Sequence, residues 1–427
     1  MNTTFNRRDF IKLAGAGAAT AALAGCAGTP EVRKPLARVI VVGGGYGGAT
    51  AARYLRMWGG GAVEVFLIER NTEFVSCPLS NLVLGGSRQM SDITMGYGKL
   101  RDMGVVVLHD EVIGVDPGKK EISLRKIANL KYDRLIVSPG VDLMHNQIAG
   151  YDAEAQKSVL HAWKAGPETL ALRRQLEGMR DGGVYVLAIP KAPYRCPPGP
   201  YERASQVANY FKKAKPRSKV LVLDGNEDIV SKKGLFLAAW NDLYKGIIQY
   251  VPNQEIKELS AKAGTVKSDF DTHKGDVLNI LPPMRAGEIA VQAKLITHNN
   301  RWCDVNWLSM ESTAVPGIHV LGDSTLSAPA MPKSGSMANN QAKIAAAAIL
   351  AGVLGEAPNP EPVISNTCYS YVSDTEAMHV NSVHRYDAGK KTLVTVAGSG
   401  GLSSARSTLE KNYADAWAKN IWADALG

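Results

Sequence analysis

A glycine-rich turn between a strand and a helix constrains this chain more than any other feature of its sequence. The apolar run Arg38–Val42 predicts a buried parallel strand, and the stretch Ala49–Met57 predicts a helix directly after the turn. Gly43 would permit a tight bend, Gly45 would let a pyrophosphate approach the backbone, and Gly48 would let helix and strand pack closely. This pattern predicts a dinucleotide site at the helix N-terminus, where free N–H groups and the helix dipole favour anions.

Later segments favour FAD over NAD as the dinucleotide. A second predicted strand, Val63–Ile68, ends in Glu69, whose carboxylate can accept both ribose hydroxyls. The segment Tyr132–Gly140 looks like the strand and turn that return to the cofactor in two-domain flavoproteins. The segment Gly317–Asp323 looks like their second FAD motif, in which the aspartate accepts from a ribityl hydroxyl. A following helix through Ala342–Leu350 would direct its N-terminus at the flavin.

The sequence has no second glycine-rich nucleotide turn. Disulfide reductases that use NAD(P)H carry one midway along the chain. Here the central strands Val184–Ile189 and Val220–Leu223 run instead into Pro190–Pro193 and Asp224–Glu227. A proline-rich segment offers few free N–H groups to a phosphate. We therefore expect a central domain that keeps the nucleotide-binding fold but has lost nicotinamide binding, and a reductant other than NADH.

The N-terminus has the pattern of an export signal. A twin-arginine pair, Arg7 and Arg8, precedes a stretch of small apolar residues that is too short for a comfortable membrane span. This pattern predicts twin-arginine export of a folded chain to the periplasm. Cys26 ends a lipobox-like sequence, so a lipid anchor at Cys26 and simple cleavage nearby are both open.

Charge and cysteine spacing exclude several other functions. The formal net charge is +9, but the basic residues form no long run, which argues against nucleic-acid binding. The cysteines form no C-x-x-C or C-x-x-C-H motif, so we predict no metal site and no haem in this polypeptide. Electrons taken up by the cofactor must therefore leave to a separate acceptor.

Two cysteines are candidates for redox chemistry. Cys196 lies in a stiff, proline-rich turn before a predicted helix, near cations that would favour its thiolate. Cys368 lies in a polar stretch far along the chain. From the residues alone, the pair is either a structural staple or a redox disulfide over the flavin that exchanges with substrate sulfur.

Several motifs resemble the flavoprotein subunit of flavocytochrome c sulfide dehydrogenase. They are RCPPGPYERASQ at 195–206, NTCYS at 366–370, HAWKAG at 161–166 and PKSG at 332–335. The resemblance implies an α/β chain with a two-domain FAD/NAD(P)-binding, glutathione-reductase-like Rossmann-type fold and a C-terminal α+β interface domain. It also implies a covalent bond from FAD to Cys77 and a redox-active disulfide between Cys196 and Cys368. Pro78, directly after Cys77, departs from the family pattern.

The activity implied by the resemblance is that of an FAD-dependent sulfide:cytochrome c oxidoreductase. Hydrosulfide would attack the disulfide, and the electrons would pass through FAD to a c-type cytochrome subunit in a heterodimer. Glu202 would move protons for the bound sulfur, with a solvated helix acid as the alternative. Arg195 or Arg203 would hold the anionic sulfur, with ordinary surface salt bridges as the alternative. The competing functions are a sulfide:quinone reductase-like enzyme and a non-catalytic sulfur-handling flavoprotein partner.

The sequence also predicts the domain boundaries and the cofactor contacts. The expected domains are a signal peptide at 1–35, FAD-binding segments at 36–150 and 281–355, a degenerate nucleotide-binding domain at 151–280 and an interface domain at 356–427. The predicted FAD contacts are Gly43, Gly45, Tyr46, Gly48, Glu69, Arg70, Cys77, Val112, Ser138, Gly140, Gly322, Asp323, Lys333 and Ser334. We interpret Cys303 as a buried thiol. Tyr413, Trp417 and Ile421 form an apolar stripe that would pack against the body or the cytochrome.

Overall fold

The computed structural model describes residues 34–427, so the predicted export signal and Cys26 lie outside the described residues. The helices are α1 (Tyr46–Gly59), α2 (Ser80–Gly85), α3 (Gly98–Asp102), α4 (Pro167–Gly178), α5 (Gly199–Ala214), α6 (Lys233–Leu243), α7 (Glu288–Gln292), α8 (Gly335–Val353) and α9 (Thr408–Leu426). The strands are β1 (Ala37–Val42), β2 (Val63–Ile68), β3 (Phe74–Val75), β4 (Thr94–Met95), β5 (Val106–Leu108), β6 (Val112–Asp116), β7 (Glu121–Leu124), β8 (Leu130–Lys131), β9 (Arg134–Val137), β10 (Val141–Leu143), β11 (Val184–Ile189), β12 (Lys219–Asp224), β13 (Ile248–Val251), β14 (Glu258–Ser260), β15 (Thr265–Lys267), β16 (Thr272–Lys274), β17 (Val277–Ile280), β18 (Met284–Ala286), β19 (Val305–Asn306), β20 (Glu311–Ser312), β21 (Ile318–Val320), β22 (Val363–Tyr371), β23 (Ala377–Asp387), β24 (Thr392–Thr395) and β25 (Gly401–Leu402).

The largest sheet carries the glycine-rich turn. Its strand order is β19-β20-β21-β9-β1-β2-β5, and β21, β9, β1, β2 and β5 are parallel to their neighbours in this run. Val39, Ile40 and Val41 of β1 are completely buried, as expected for a strand covered on both faces. Strand β9 precedes the central part of the chain and β21 follows it. Two separate parts of the sequence therefore complete one sheet.

The central part of the chain forms a second parallel sheet with the order β13-β12-β11-β17. Helices α5 and α6 contribute Tyr201, Phe211, Phe236 and Trp240 to the hydrophobic core beside it. This packing fixes the start of α5, and with it the turn that carries Cys196.

The C-terminal part is an antiparallel sheet, in which β23 pairs with β22, β24 and β25, followed by α9. Helix α9 docks on α1, where Tyr54 Oη donates to Asp424 at 2.5 Å and Arg53 donates to the Ala423 carbonyl at 2.6 Å. Because α1 begins at the glycine-rich turn and β22 contains Cys368, this docking brings Cys368 to the nucleotide-binding end of the molecule.

This architecture confirms the predicted α/β fold class. The bounds predicted for β2 and β11 agree with the structure, whereas α1 begins at Tyr46, three residues before the predicted start, Ala49. The helix starts earlier because the extended backbone of Gly45 already serves as its N-cap. Within residues 34–427, no helix has both the length and the hydropathy needed to span a bilayer.

Candidate active site

One cavity of about 450 Å³ lies between the largest sheet, the central domain and the C-terminal strands. This volume is within the range of about 300 to 1,000 Å³ that is typical of ligand sites. It brings together most of the predicted site residues. Those that line it are Gly43, Gly45, Tyr46, Glu69, Arg70, Cys77, Val112, Ser138, Gly140, Cys196, Glu202, Gly322, Asp323, Ser334 and Cys368. Gly48 and Lys333 lie outside the lining.

The glycine-rich turn forms one end of the cavity. Gly43 has a φ of +95°, a conformation that favours glycine. A Cβ atom on Gly48 would lie 1.8 Å from the carbonyl oxygen of Gly43, so this glycine sets the distance between α1 and β1. A Cβ atom on Gly45 would meet nothing within 4 Å, and its backbone faces the cavity. The N-terminus of α1 is therefore open to a diphosphate.

Glu69 is held at the same end of the cavity. Its Oε2 accepts from the backbone N–H of Gly44 at 2.7 Å, and its Oε1 accepts from the backbone and side chain of Asn71 at 2.8 and 2.7 Å. A carboxylate has about four lone-pair positions, so Glu69 can still accept from ribose hydroxyls.

Asp323 provides a second point of fit for the cofactor. Its Oδ1 is buried and has no hydrogen-bond partner among the described residues. Burial raises the pKa of this carboxyl, and Arg195 and Lys333 partly oppose the rise. An unsatisfied buried acceptor at a cavity fits a ligand that brings a donor, such as a ribityl hydroxyl. With the open space at Gly45, this acceptor makes the cavity suitable for FAD.

Lys333, one of the predicted FAD contacts, lies outside the cavity lining. Its Nζ donates to the carbonyls of Asp323, at 3.1 Å, and of Thr325, and lies 3.8 Å from the ring centroid of Trp302. The Lys333 carbonyl accepts from the N–H of Cys196 at 2.8 Å. Lys333 therefore connects the Asp323 loop to the cysteine turn, and its contact with FAD stays a prediction.

Cys196 occupies a tight turn immediately before α5. Its φ of +59° lies in the left-handed region, which is uncommon for a residue other than glycine. The carbonyl of Cys196 accepts from the N–H of Gly199 at 2.9 Å. A Cβ atom on Gly199 would lie 2.8 Å from the Sγ of Cys196, so a larger residue there would displace the thiol.

Cys368 reaches the same cavity from β22. Its Sγ lies 3.3 Å from Oδ1 of Asn366, which also accepts from Oγ of Ser334 at 2.8 Å. The cysteines of the described chain are free thiols, so the disulfide implied for Cys196 and Cys368 is not formed in this structure. The pairing stays a prediction, and the structure brings both residues to one cavity.

Burial reverses the ionisation predicted for Cys196. The sequence suggested that nearby cations favour its thiolate. In the structure, burial raises the pKa of Cys196, Cys368 and Glu202 raise it further, and Arg195 and Lys232 oppose the rise only in part. Burial also raises the pKa of Cys368, with Lys232 as the main opposing charge. The reduced pair therefore favours neutral thiols, because desolvation outweighs the attraction of the cations.

Glu202 is a buried helix acid, so the alternative of a solvated acid is wrong. The residue is 8% exposed, its Oε2 accepts from Asn81 at 2.8 Å and its Oε1 accepts from the N–H of Tyr371 at 2.8 Å. Burial raises the pKa of Glu202 above its ordinary value. A carboxyl shifted in this direction exchanges protons closer to neutral pH, which suits general acid–base chemistry.

Arg203 lines the cavity but is buried, so the alternative of an ordinary surface salt bridge is wrong for this residue. It is 2% exposed, and it donates to the side chains of Asn81 and Asn279 and to the carbonyls of His161 and Ala162 at 2.6 to 3.0 Å. Its donors are thus used to hold the framework around α5. No surface salt bridge involves it among the residues that the structure describes.

Arg195 is the better-placed cation. Its guanidinium donates to the carbonyl of Trp163 and lines the cavity. Burial lowers the pKa of Arg195, but Cys77, Asp323 and Cys196 together raise it above the ordinary value. The positive charge of Arg195 therefore lies close enough to the sulfurs of Cys77 and Cys196 to interact with negative charge there.

Cys77 lies in a turn that two networks fix in place. Its carbonyl accepts from the N–H and the Oγ of Ser80 at 3.1 and 2.7 Å. Beside it, Oγ of Ser76 lies 2.7 Å from Oη of Tyr46, which accepts from Nε1 of Trp422 at 3.0 Å. Helix α9 thus supports the segment that presents Cys77 to the cavity.

The acid at the end of β12 is occupied by the chain's own side chains. Asp224 is fully buried, and its Oδ2 accepts from Oη of Tyr201 at 2.7 Å and of Tyr250 at 3.0 Å. In a nucleotide-binding domain, an acid at this position receives ribose hydroxyls. The two tyrosines take that place here, which supports the expected loss of nicotinamide binding.

Sequence reasoning missed Lys232, Asn81 and Asn366. Lys232 is 4% exposed and donates from Nζ to the carbonyl of Cys368 at 2.7 Å. No local motif marks Lys232 or Asn81, because each reaches the site from an element distant in sequence, whereas Asn366 belongs to the NTCYS motif and lies two residues before Cys368. The interpretation of Cys303 as a buried thiol is confirmed, since the residue is completely buried and burial raises its pKa to about 12.

The residues of the predicted apolar stripe in the C-terminal helix differ in exposure, because Tyr413 is 51% exposed whereas Ile421 is buried.

Models of known families match four segments of the chain. The model for the central part of the flavocytochrome c sulfide dehydrogenase flavoprotein chain matches residues 169–282, and the flavin-binding model of flavocytochrome c sulphide dehydrogenase matches residues 360–426. Residues 37–175 match pyridine nucleotide-disulphide oxidoreductases, and residues 4–24 match twin-arginine translocation signals.

Individual relatives agree with these matches. The flavoprotein chain of sulfide dehydrogenase [flavocytochrome c] from Chlorobaculum thiosulfatiphilum is 54% identical over 46 residues, which are 11% of this chain and 94% of that one. Mitochondrial sulfide:quinone oxidoreductase from Mus musculus is 22% identical over 316 residues, which cover 67% of this chain but only 65% of the mouse enzyme. The chain thus spans slightly less than two thirds of that relative.

Solved structures confirm the fold. The sulfide:quinone oxidoreductase of Aquifex aeolicus has a TM-score of 0.74 at 18% identity and covers 91% of each chain. A NAD-dependent persulfide reductase from A. fulgidus has a TM-score of 0.60 at 15% identity, covering 91% of this chain and 77% of that one. At such identities the likeness concerns the architecture alone.

Proposed function

We propose that this chain oxidises hydrosulfide at Cys196 and Cys368 with FAD as its cofactor. The chain belongs to the family of flavocytochrome c sulfide dehydrogenase flavoprotein chains, and this membership supports the proposal. The observation that carries the proposal is a single cavity lined by a dinucleotide turn, both cysteines and a buried acid. A fold alone would not be sufficient support, since one fold can serve many reactions.

The reaction begins with the cysteine pair as a disulfide. The sulfur of hydrosulfide bonds to one cysteine, the S–S bond breaks, and its electron pair stays on the other cysteine as a thiolate. A second hydrosulfide attacks the resulting persulfide and leaves as a hydrodisulfide ion, which gives one thiol and one thiolate. Bound FAD supplies the acceptor for two electrons and one proton when the disulfide forms again. The sum converts two hydrosulfide ions into one hydrodisulfide ion.

Residues around the pair manage its charge and protons. Glu202 is buried between groups that fix its carboxylate oxygens, so it can hold the proton that the thiol loses when the disulfide forms again. Arg195 lines the cavity, and its positive charge reduces the cost of a thiolate on Cys196 in this buried place.

A covalent link between FAD and Cys77 is part of the proposal. Cys77 lines the cavity that also contains the glycine-rich turn and Asp323. Its Sγ lies 4.0 Å from the carbonyl oxygen of Trp163, which also accepts from the guanidinium of Arg195. This common neighbour is the support for a position of Cys77 at the flavin ring.

Replacement of Cys77 by serine is expected to convert FAD into a dissociable cofactor. The wild-type protein should retain flavin absorbance after acid precipitation, and a peptide containing Cys77 should carry the flavin mass. The variant should release all of its flavin into the supernatant, while Cys303→Ala should behave as the wild type. Free flavin in the supernatant of the wild-type protein would contradict the covalent link.

Electrons are proposed to leave to a c-type cytochrome subunit. Trp417, Thr367 and Tyr369 line both the cavity and a neighbouring surface groove that includes Tyr413. A haem protein seated on this groove would be separated from the cofactor by little more than one layer of side chains. The exposed ring of Tyr413 would then be covered by the partner.

The matched translocation signal at residues 4–24 indicates twin-arginine export, and we propose the periplasm as the destination. A thiol pair that cycles through a disulfide suits an oxidising compartment. A lipid anchor at Cys26 and simple cleavage nearby both stay open, and the intact mass of the mature protein distinguishes these outcomes.

Anaerobic titration of the flavoprotein with sulfide and, separately, with NADH tests the proposed function. Sulfide should bleach the flavin absorbance stoichiometrically, and NADH should leave it unchanged because Asp224 is occupied by Tyr201 and Tyr250. Reoxidation by a c-type cytochrome but not by a quinone should follow. Reduction by NADH together with indifference to sulfide would overturn the proposal.

A further inference from the structure

Lys232 is a buried cation whose position is unusual. It directly precedes α6, has a φ of +57° in the left-handed region and is 4% exposed. Its Nζ donates to the carbonyl of Cys368 at 2.7 Å. Among residues 34–427 it takes part in no ion pair, whereas the next residue, Lys233, pairs with Asp228 at the surface.

The charges facing Lys232 come from several elements. They are Cys368 of β22, Glu202 of α5, Cys196 of the turn before α5, and Glu410 of α9. Burial lowers the pKa of Lys232 to about 8, and these four groups oppose the decrease. Cys368 is the largest of the opposing influences.

Burying an ammonium group without a paired anion costs free energy, and proteins retain such a group only where other interactions offset that cost. A hydrogen bond to a carbonyl compensates it in part. Among the surrounding groups that can become anions, the sulfur of Cys368 belongs to the residue whose backbone carbonyl Lys232 contacts directly. Both species that the reaction can place on Cys368, a thiolate and a persulfide anion, carry a negative charge.

We propose that Lys232 is a positioning residue for the sulfur reaction, whose ammonium group stabilises negative charge on the sulfur of Cys368. The inference rests on the proposed function, because the sulfur reaction is what places the negative charge on Cys368. The effect of Lys232 on the ionisation of Cys368 can nevertheless be measured without sulfide. When hydrosulfide opens the disulfide, one negative charge moves from solution to a buried sulfur. The fixed ammonium group of Lys232 offsets the free-energy cost of desolvating that charge.

Alkylation of the reduced flavoprotein tests this role. The full chain with bound FAD is reduced under argon, treated with iodoacetamide between pH 6 and pH 10, and the label on Cys368 is quantified by peptide mass spectrometry. Below the thiol pKa, the rate follows the thiolate fraction, and each unit of pKa changes it about tenfold. Lys232→Met should slow the alkylation of Cys368 at pH 7 by at least about tenfold.

The controls separate charge from packing. Lys233→Met removes an exposed lysine at the adjacent position and should leave the profile unchanged. Lys232→Arg keeps the positive charge and should stay within about threefold of the wild-type rate, since less than half a pKa unit would be lost. If Lys232→Met does not fold, Lys232→Gln replaces it, with flavin content and thermal unfolding as checks.

The result that overturns the inference is an unchanged Cys368 profile in folded Lys232→Met or Lys232→Gln. Loss of thiolate reactivity in Lys232→Arg as large as in the neutral variants would overturn it too, because packing alone would then explain the effect. A shifted profile in a protein that sulfide cannot reduce would contradict the proposed function and leave the role of Lys232 intact. The two failures are therefore distinguishable.

Discussion

Replacement of Cys368 by serine is expected to abolish reduction of the flavin by sulfide while FAD stays bound. A hydroxyl group can neither form the disulfide nor accept a sulfane sulfur, so the pathway loses its first step. We expect a decrease of at least about 10³-fold in the anaerobic rate, which corresponds to about 4 kcal/mol in the barrier. Stopped-flow absorbance of the flavin after mixing with sulfide measures this rate.

Cys196→Ser should give the same loss, and the double variant should be no slower than either single variant, because residues that act as one unit are not additive. Cys303→Ala is the matched control, since this buried thiol lies outside the cavity lining. Reduction of all variants by dithionite shows that the flavin is intact. If sulfide reduces the serine variants at the wild-type rate, the pair is a structural staple.

Replacement of Glu202 by glutamine is expected to lower kcat/KM for sulfide by about 10²-fold, within the usual range for loss of a general acid–base group. The direction of the pH dependence follows from the raised pKa of Glu202. A base acts only when ionised, so the wild-type advantage should be small at low pH and should grow as the pH rises through that pKa. The glutamine variant lacks this increase.

Because hydrogen sulfide itself ionises as the pH rises, the informative quantity is the ratio of wild-type to variant rates at each pH. Glu177→Gln, on the exposed side of α4, is the control and should give a ratio of one throughout. Glutamine keeps only one acceptor for the two donors, Asn81 and the Tyr371 N–H, so thermal unfolding is measured alongside. A constant ratio of wild-type to variant rates across the pH range would show that Glu202 does not transfer protons in the reaction.

The sequence alone determined the parts of this protein that depend on local chemistry. Apart from the partly exposed Glu64, which pairs with Arg38, the runs that form β2 and β11 are apolar, and a strand buried on both faces requires that composition. Gly43 and Gly48 are required by a positive φ and by a backbone contact, both set by residues close in sequence. Motif spacing was sufficient to place Cys196 before a helix and Asp323 after a strand.

Only the tertiary structure decided the electrostatics of the site. The cations near Cys196 are visible in the sequence, but the burial that outweighs them comes from packing of the central domain against β22 and α9. Arg203 looks like Arg195 in sequence and lines the same cavity, yet its donors are already used by two asparagine side chains and two framework carbonyls. Lys232 reaches Cys368 across the molecule. The balance between desolvation and charge attraction depends on distances and burial, and chain segments far apart in sequence set both.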